Sequence, residues 1–455
     1  MKILHLPFGY FPDVCGGTEV YVSALSRELS ELGHQACIAA PGKKLEQYIV
    51  EGIQVFRYPV NSELADSNRN GEGDPAAAGY VGEVLDQVKP DIVHLHALTS
   101  GVSLLVLREA TKRNVKTVLT YHTPTVTCVQ GTLLYKGQDV CDGVMDKARC
   151  TACSLYSLGL TASISGGLAH MPERLGDMAA RSGFSGKALT ALRRKEMVGL
   201  RHDTVRKVFA EVDHVIALCD WTEKLLQRNQ MGVGKTSVIR HGLPHKVKKI
   251  PAQQIDVPEV FNKKRPLRLL YLGRISPEKG VDVIVKAMGE LPVDVPVTLD
   301  IFGLQQDEGE FVKGVIRQTE KNTRVTLHPP VSPGEVIPLM RCFHVQLVPS
   351  QLLETGPFVV LEALSSRTPV VGSRLGGIGE HITVGGDGIL VDDFRCIKSW
   401  RDIFLLIVNA SGKITEMRSL IKMPANFRFI AENHIEIYEK LGSEKIQQTI
   451  NLKVE

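Results

Sequence analysis

The apolar positions of this chain fall in short bursts rather than long runs. "KILHL" at residues 2–6 is one burst. Beyond a glycine-bearing loop the spacing changes, and Tyr21, Ala24, Leu25, Leu29 and Leu32 recur every three or four residues, the period of a helix with one apolar face. "GHQACIAAP", "DIVHLHA", "KTVLTYH" and "DHVIALC" repeat the strand-like burst with helical patterns between them, and the rhythm restarts with "LRLLYLG", "VTLDIFG", "RVTLHP", "FHVQLVPS" and "TPVVGS". Short apolar strands separated by helical patterns predict parallel sheets, whose ligands gather at the carboxyl ends of the strands. Between the two series lies "HKVKKIPAQQIDVPEVFNKKRP", polar, charged and proline-bearing as a linker should be. The pattern predicts an α/β protein with two doubly wound, Rossmann-like domains facing a central cleft. The first spans 1–245, the linker 246–265 and the second 266–425, and a helix at about 426–442 packs back on the first.

Composition narrows the class. A chain of 455 residues suits two or three domains, and 43% hydrophobic with 23% charged residues is the make-up of a globular protein with ample core. Fifty-four basic against fifty acidic residues leave a net charge of +4, too small to argue for nucleic acid. No apolar run approaches the ~18 residues of a membrane-spanning helix. The start "MKILHLPFGYFPD" is expected not to be a signal peptide, because His5, Pro7 and Pro12 interrupt any apolar stretch. Nine cysteines, an odd number, favour a reducing cytoplasm.

Chemistry concentrates in "ETGPFVVLEA" (354–363). Glu354 follows the strand "HVQLVPS" and so lies on a strand-to-helix loop. Gly356 lets a ligand approach the backbone closely, and Pro357 suits the first turn of a helix. Glu362 then falls about a turn and a half inside that helix, with free first-turn N–H groups between the two carboxylates. Such a site suits anionic or hydroxyl-rich ligands. A helix-start glutamate and an unrelated surface glutamate would give the same spacing. "YLGRISPEKG" (271–280) adds Arg274 and Lys279 on the loop after another strand. Two cations there can hold a diphosphate, one as a fork and one as a point charge. Gly16 and Gly17, in "CGGTE" after the first strand, would let backbone amides at a helix start face a phosphate, although turns use glycine everywhere.

Together these stretches resemble the retaining glycosyltransferases with the GT-B architecture, the family 4 kind also called glycosyl transferases group 1. The resemblance runs from "GGTE" through "PDIVHLH", "TYHT", "VIALCDWTEKLL", "GRISPEKG" and "ETGPFVVLEALSSRTPVVGSRLGGIGE" to "DGILV". It implies transfer of a sugar from a nucleoside-diphosphate sugar to an acceptor hydroxyl of a glycan or a lipid-linked acceptor, without a metal in catalysis. It further implies that Glu354 contacts donor-sugar hydroxyls and Glu362 the ribose, with Gly356, Pro357 and Phe358 beside the nucleotide. Arg274 and Lys279 neutralise the diphosphate, and His122 reaches the reacting sugar. The family often has Asn before the Gly of "RHGLP"; His241 stands there and is given no role. A glycoside hydrolase, a sugar-nucleotide epimerase and a catalytically silent sugar-nucleotide binder are the rival classes.

Three further features bear on partners. Cys128, Cys141, Cys150 and Cys153 stand at C-x12-C-x8-C-x2-C, a ligand set for a closed structural zinc site, against which stand plain or partly paired thiols and an iron–sulfur cluster. "GVGKTS" (232–237) imitates a phosphate loop, but Asn229 stands where its first Gly is required. The basic face of 187–209 would fit a peripheral contact with the inner face of an anionic membrane, or simply a solvated helix.

Overall fold

The structure, a computed structural model, describes residues 1–13, 16–174, 176, 178, 186–244, 253–303, 309–383 and 386–454. Residues 246–252 of the expected linker lie outside them. The chain forms two compact units, Met1–Arg240 with Arg428–Glu455, and His241–Phe427.

The first unit is built on β1 (Lys2–Leu6), β2 (Gln35–Gly42), β3 (Glu46–Val50), β4 (Ile53–Pro59), β5 (Ile92–Leu95) and β6 (Lys116–Tyr121). A small hairpin follows, β7 (Leu134–Tyr135) with β8 (Asp139–Val140), and then β9 (His214–Ala217) and β10 (Thr236–Val238). Their order in the large sheet is β10-β9-β6-β5-β1-β2-β4-β3. Every pair is parallel except β3 with β4. The apolar bursts mark strands buried on both faces: Ile3, Leu4, Leu6, Val93, Leu95, Val118 and Leu119 are all fully enclosed. The β3–β4 hairpin was not evident in the hydrophobic pattern. Glu51 at φ 49° and Gly52 at φ 81° turn it, the positive-φ pair that a two-residue hairpin loop uses.

The second unit has β11 (Leu267–Leu272), β12 (Val297–Phe302), β13 (Val325–His328), β14 (Val345–Val348), β15 (Val370–Ser373) and β16 (Gly388–Val391). Their order is β13-β12-β11-β14-β15-β16, all parallel, the six-strand order of a Rossmann sheet. Leu270, Met340, Phe343, Val360, Val370 and Ile378 form its core on one face.

The final helix, Phe427–Val454, runs twelve residues past the expected end, and its first half belongs to the first unit through polar contacts. His434 Nε2 meets the Tyr21 hydroxyl at 3.0 Å, and the Tyr438 hydroxyl meets His94 Nδ1 at 2.7 Å. His94 is one of several histidines inside the sheet, since the β1–β5 register sets His5 opposite His94. His5 Nδ1 lies 3.0 Å from His96 Nε2, and His96 Nδ1 lies 2.9 Å from His122 Nε2. All are buried.

Burial disfavours the imidazolium, and the neighbouring rings add to it. His5 and His122 are pushed down to about 3 and His434 to about 4, and His94 and His96 lie well below their ordinary value. The unfolded chain protonates these rings near pH 6.5 and the folded chain does not. The stability they contribute is therefore complete above pH 6.5 and is lost as pH falls from there toward about 3. Each ring costs up to about 1.4 kcal/mol per pH unit in that window. Thermal unfolding followed from about pH 7.5 to about pH 5 should show Tm falling steadily once below about 6.5. A Tm that holds level to about pH 5 would mean that these rings protonate within the fold.

Candidate active site

The order of the second sheet reverses between β11 and β14, and the loops leaving those two strands carry the residues singled out above. One is Gly273–Gly280, the other Pro349–Pro357. Their approach is set by Gly280, at φ 68° with Pro349 O only 2.0 Å from where a Cβ would stand. Any other residue would push the loops apart. Gln351 N–H donates to Glu278 O at 2.8 Å and ties them together.

Across that seam Lys279 Nζ donates to Glu354 Oε2 at 2.9 Å. The pair is partly enclosed, with 27% of the Lys279 side chain and 12% of the Glu354 side chain exposed. The Ser350 hydroxyl donates to the other carboxylate oxygen, Glu354 Oε1. Glu354 O accepts from Gly377 N at 2.6 Å, at the start of the helix Gly376–His381, so both ends of this residue are held. Gly356 takes φ 140°, and a Cβ there would lie 2.7 Å from His381 Nε2. Pro357 precedes the helix Phe358–Ser365, and Glu362 on that helix is 7% exposed. Arg274 is exposed, but its backbone is fixed: the Tyr271 hydroxyl donates to Arg274 O at 2.7 Å. Burial, and next the Glu354 carboxylate, push the Tyr271 phenol well above its ordinary value and keep it a donor.

Sequence reasoning passed over several neighbours of these residues. Ser350 and Tyr271 lie in strand-end stretches that read only as apolar spacing. His241, given no role, is buried and packs edge-on against Phe358 with ring centroids 5.0 Å apart. A histidine just after a strand-like burst was the available signal.

In the first unit Gly16 N–H donates to Glu19 Oε2 at 2.8 Å, and Gly17 opens the helix Gly17–Glu31. The Gly16 amide thus serves its own helix start. Cys15 lies outside the described residues. His122 follows β6 and terminates the chain of imidazoles that begins at His5. Three histidines in adjacent buried strands were legible in "KILHL" and "DIVHLHA", but their order as a chain depends on register. His5, His94 and His96 bring nitrogens within 4.8 Å of one another. Those of His94 already meet Tyr438 and Thr120, and those of His96 meet His5 and His122.

The four cysteines line one small pocket of about 30 Å³, and Cys153 is buried while Cys128, Cys141 and Cys150 are partly so. Burial first, and then the thiols of Cys128 and Cys141, push Cys150 up to about 12. In "GVGKTS", Lys235 Nζ donates to Ala210 O at 2.8 Å, at the end of the long helix Gly186–Glu211, a structural use of the lysine. Some of that helix's basic residues also bond inward. Arg201 reaches Leu98 O and Thr125 O, Arg194 reaches the Ser154 hydroxyl, and Lys195 reaches Met171 O. No helix among the described residues is long and apolar enough to cross a membrane.

The family model for "Glycosyl transferases group 1" matches residues 253–415, and that for "Glycosyltransferase Family 4" matches 15–143. Among curated relatives, a D-inositol 3-phosphate glycosyltransferase of Pseudarthrobacter chlorophenolicus is 36% identical over 140 residues, 30% of this chain and 33% of that one. One from Rhodococcus jostii is 29% identical over 154 residues, 32% of this chain and 34% of that one. The chain thus spans about a third of the length of these relatives. Among solved structures, sucrose-phosphate synthase of Thermosynechococcus elongatus superposes with TM-score 0.64 at 14% identity, covering 98% of this chain and all of that one. HepE of Anabaena, in complex with UDP and glucose, gives TM-score 0.57 at 15% identity, covering 97% of this chain and 100% of that one. With matches to two family models of one kind, one in each unit, and the fold of these neighbours, the chain belongs to the group 1, family 4 glycosyltransferases of the GT-B fold.

Proposed function

We propose that the protein is a retaining glycosyltransferase that moves a sugar from a nucleoside-diphosphate sugar to an acceptor hydroxyl in glycan, polysaccharide or glycolipid synthesis. The observation that carries this reading is the Lys279–Glu354 pair at the β11–β14 reversal, with Glu362 buried on the helix that follows. That HepE, of the same fold, was solved with UDP and glucose supports the donor class.

The chemistry follows from where charge develops. Breaking the anomeric C–O bond leaves an oxocarbenium-like sugar, and its electron pair goes to the diphosphate. Lys279 and Arg274 meet that growing negative charge; fixed donors of this kind are worth about 10²–10³ in rate each, by analogy with oxyanion holes. Glu354, held by Lys279 and Ser350, offers carboxylate lone pairs to sugar hydroxyls. Glu362 accepts from the ribose hydroxyls, and Gly356 to Phe358 present backbone to the nucleotide. Retention proceeds by front-face attack, in which the acceptor hydroxyl enters on the side the diphosphate leaves and loses its proton to it.

His122 supplies a hydrogen bond to the sugar and no base. In the chain His5–His96–His122 one end, His5 Nε2, has no hydrogen-bond partner among the described residues. A buried lone pair without a donor costs less than an orphaned buried N–H. The chain therefore runs His5 Nδ1–H to His96 Nε2 and His96 Nδ1–H to His122 Nε2. That leaves the His122 proton on Nδ1.

Two measurements test these roles. Glu354→Gln should lower turnover and weaken the sugar nucleotide by roughly 1–2 kcal/mol, about 5- to 30-fold, while affinity for the bare nucleoside diphosphate stays nearly intact. Glu362→Gln should weaken both ligands. Lys279→Ala should weaken the diphosphate more than Arg274→Ala, since it also removes the cation that lies between the Glu354 carboxylate and the ligand. Calorimetric titrations with both ligands read all four, and equal losses on both for Glu354→Gln would place the wrong carboxylate against the sugar. In histidine-selective ¹⁵N NMR, His96 and His122 should both carry their proton on Nδ1, unchanged down to about pH 6, because burial pushes the His122 ring down to about 3. An Nε2-protonated His122 would reverse the direction of the chain.

A further inference from the structure

The four cysteines of residues 128–153 support an inference independent of the donor site. Cys128 follows the turn Pro124–Val126, and Cys141 follows β8. Cys150 and Cys153 stand three residues apart on the helix Lys147–Ser157, and so on one face of it. Sequence separation does not explain why all four line one pocket; the fold gathers them.

The donors around the sulfurs are the second observation. Lys136 N–H points at Cys153 Sγ at 3.1 Å, Gly143 N–H at Cys141 Sγ at 3.5 Å, and Arg149 Nη2 at Cys141 Sγ at 3.7 Å. A neutral thiol is a weak acceptor, whereas a thiolate is a strong one, so N–H groups aimed at sulfur form the outer shell that anionic ligands call for. Two of the three donors belong to the loop of the β7–β8 hairpin and to the turn just after it. That hairpin has two residues in each strand, far short of what holds itself together in water. Something beyond its ladder must fix it against the helix Lys147–Ser157.

We propose that Cys128, Cys141, Cys150 and Cys153 hold one zinc ion, which staples the β7–β8 hairpin to the helix Lys147–Ser157. Four thiols lose four protons to solvent as the ion binds. Four thiolates around one divalent ion carry two net negative charges; the Arg149 guanidinium lies beside Cys141 while it also pairs with the Asp142 carboxylate. Four protein ligands leave no open position, the arrangement of a structural rather than a catalytic zinc. With Zn–S near 2.3 Å a tetrahedron sets its sulfurs ~3.8 Å apart. Among the described residues no three of these sulfurs lie within 4.8 Å of one another, so binding draws them inward. The rival is the His5–His94–His96 trio, fully buried, whose rings are committed to one another and to hydroxyls. No carboxylate appears among those bonds to balance a divalent charge.

The test uses the full chain, purified with a tag free of histidine, in reducing buffer supplemented with zinc and without chelator. Metal analysis should find about one zinc per chain. Cys150→Ser and Cys153→Ser should each lose most of it, and Cys342→Ser, on the exposed Cys342 of the other unit, should lose none. Should the serine variants fail to fold, the unaltered chain still decides. Alkylation followed by mass spectrometry should show Cys342 modified at once and the four clustered cysteines protected until a chelator removes the metal. Absence of zinc, or alkylation of the four as fast as Cys342, would overturn the proposal. So would iron with visible absorbance, or zinc that survives Cys150→Ser and Cys153→Ser yet is lost in His5→Gln. None of these outcomes bears on nucleotide binding, so the donor-site reading stands or falls separately.

Discussion

At residue 280 there is no space for a side chain, and the second unit's site follows from that. The Pro349 carbonyl oxygen sits where a Cβ would be, so the loop after β11 lies directly on the loop after β14. Parallel strands that diverge on either side of a reversal leave a gap there by topology. The glycine lets the two loops close over the base of that gap. Gln351 and Glu278 then bond through backbone, and Lys279 comes within 2.9 Å of Glu354 although 75 residues separate them in the chain. An alanine at 280 would first cost this contact and only afterwards the fold around it.

The two units handle polarity in opposite ways. In the second, opposite charges are paired at a partly enclosed edge, where effective dielectric screening is reduced but not lost. In the first, polar groups are sunk into the sheet as neutral rings, each given a partner of its own kind or a hydroxyl. A row of buried imidazoles is costly to charge, and that cost keeps His122 neutral across the physiological range. In the proposed tautomer, the hydrogen bond with His96 sets which nitrogen of His122 carries the proton.

What the sequence made legible is the part that depends on period and on local turn chemistry. Strand bursts such as "LRLLYLG" and "FHVQLVPS" became β11 and β14, and the loop placement of Glu354 followed from Pro357 and the apolar helix after it. Contacts set by register or by two distant loops were not legible. The His5–His94 alignment depends on the β1–β5 pairing, and the Lys279–Glu354 bond depends on Gly280. The β3–β4 hairpin escaped for another reason. "EQYIV" is an edge strand with little burial, so it carries a weak apolar period, and only Glu51-Gly52 marked it. The long helix Gly186–Glu211 shows the converse limit: its cations read as one solvated or membrane-facing surface, but they divide, with Arg194, Lys195 and Arg201 bonding inward and Lys187, Arg206 and Lys207 exposed.

The Lys279–Glu354 pair also bears on how a charged ligand can be both held and released. A lysine left alone at a loop edge would bind any diphosphate and lose ordering entropy in doing so. Paired beforehand with Glu354, its ammonium is already oriented, and an arriving diphosphate shares it rather than recruiting it. In the proposed role, a ligand that carries a sugar as well as a diphosphate gains hydrogen bonds to Glu354 that the bare diphosphate lacks, and once the sugar has left only the shared ammonium remains to hold what is left. Selection for the intact donor over the spent one would then rest on a single ion pair, held in place by a glycine.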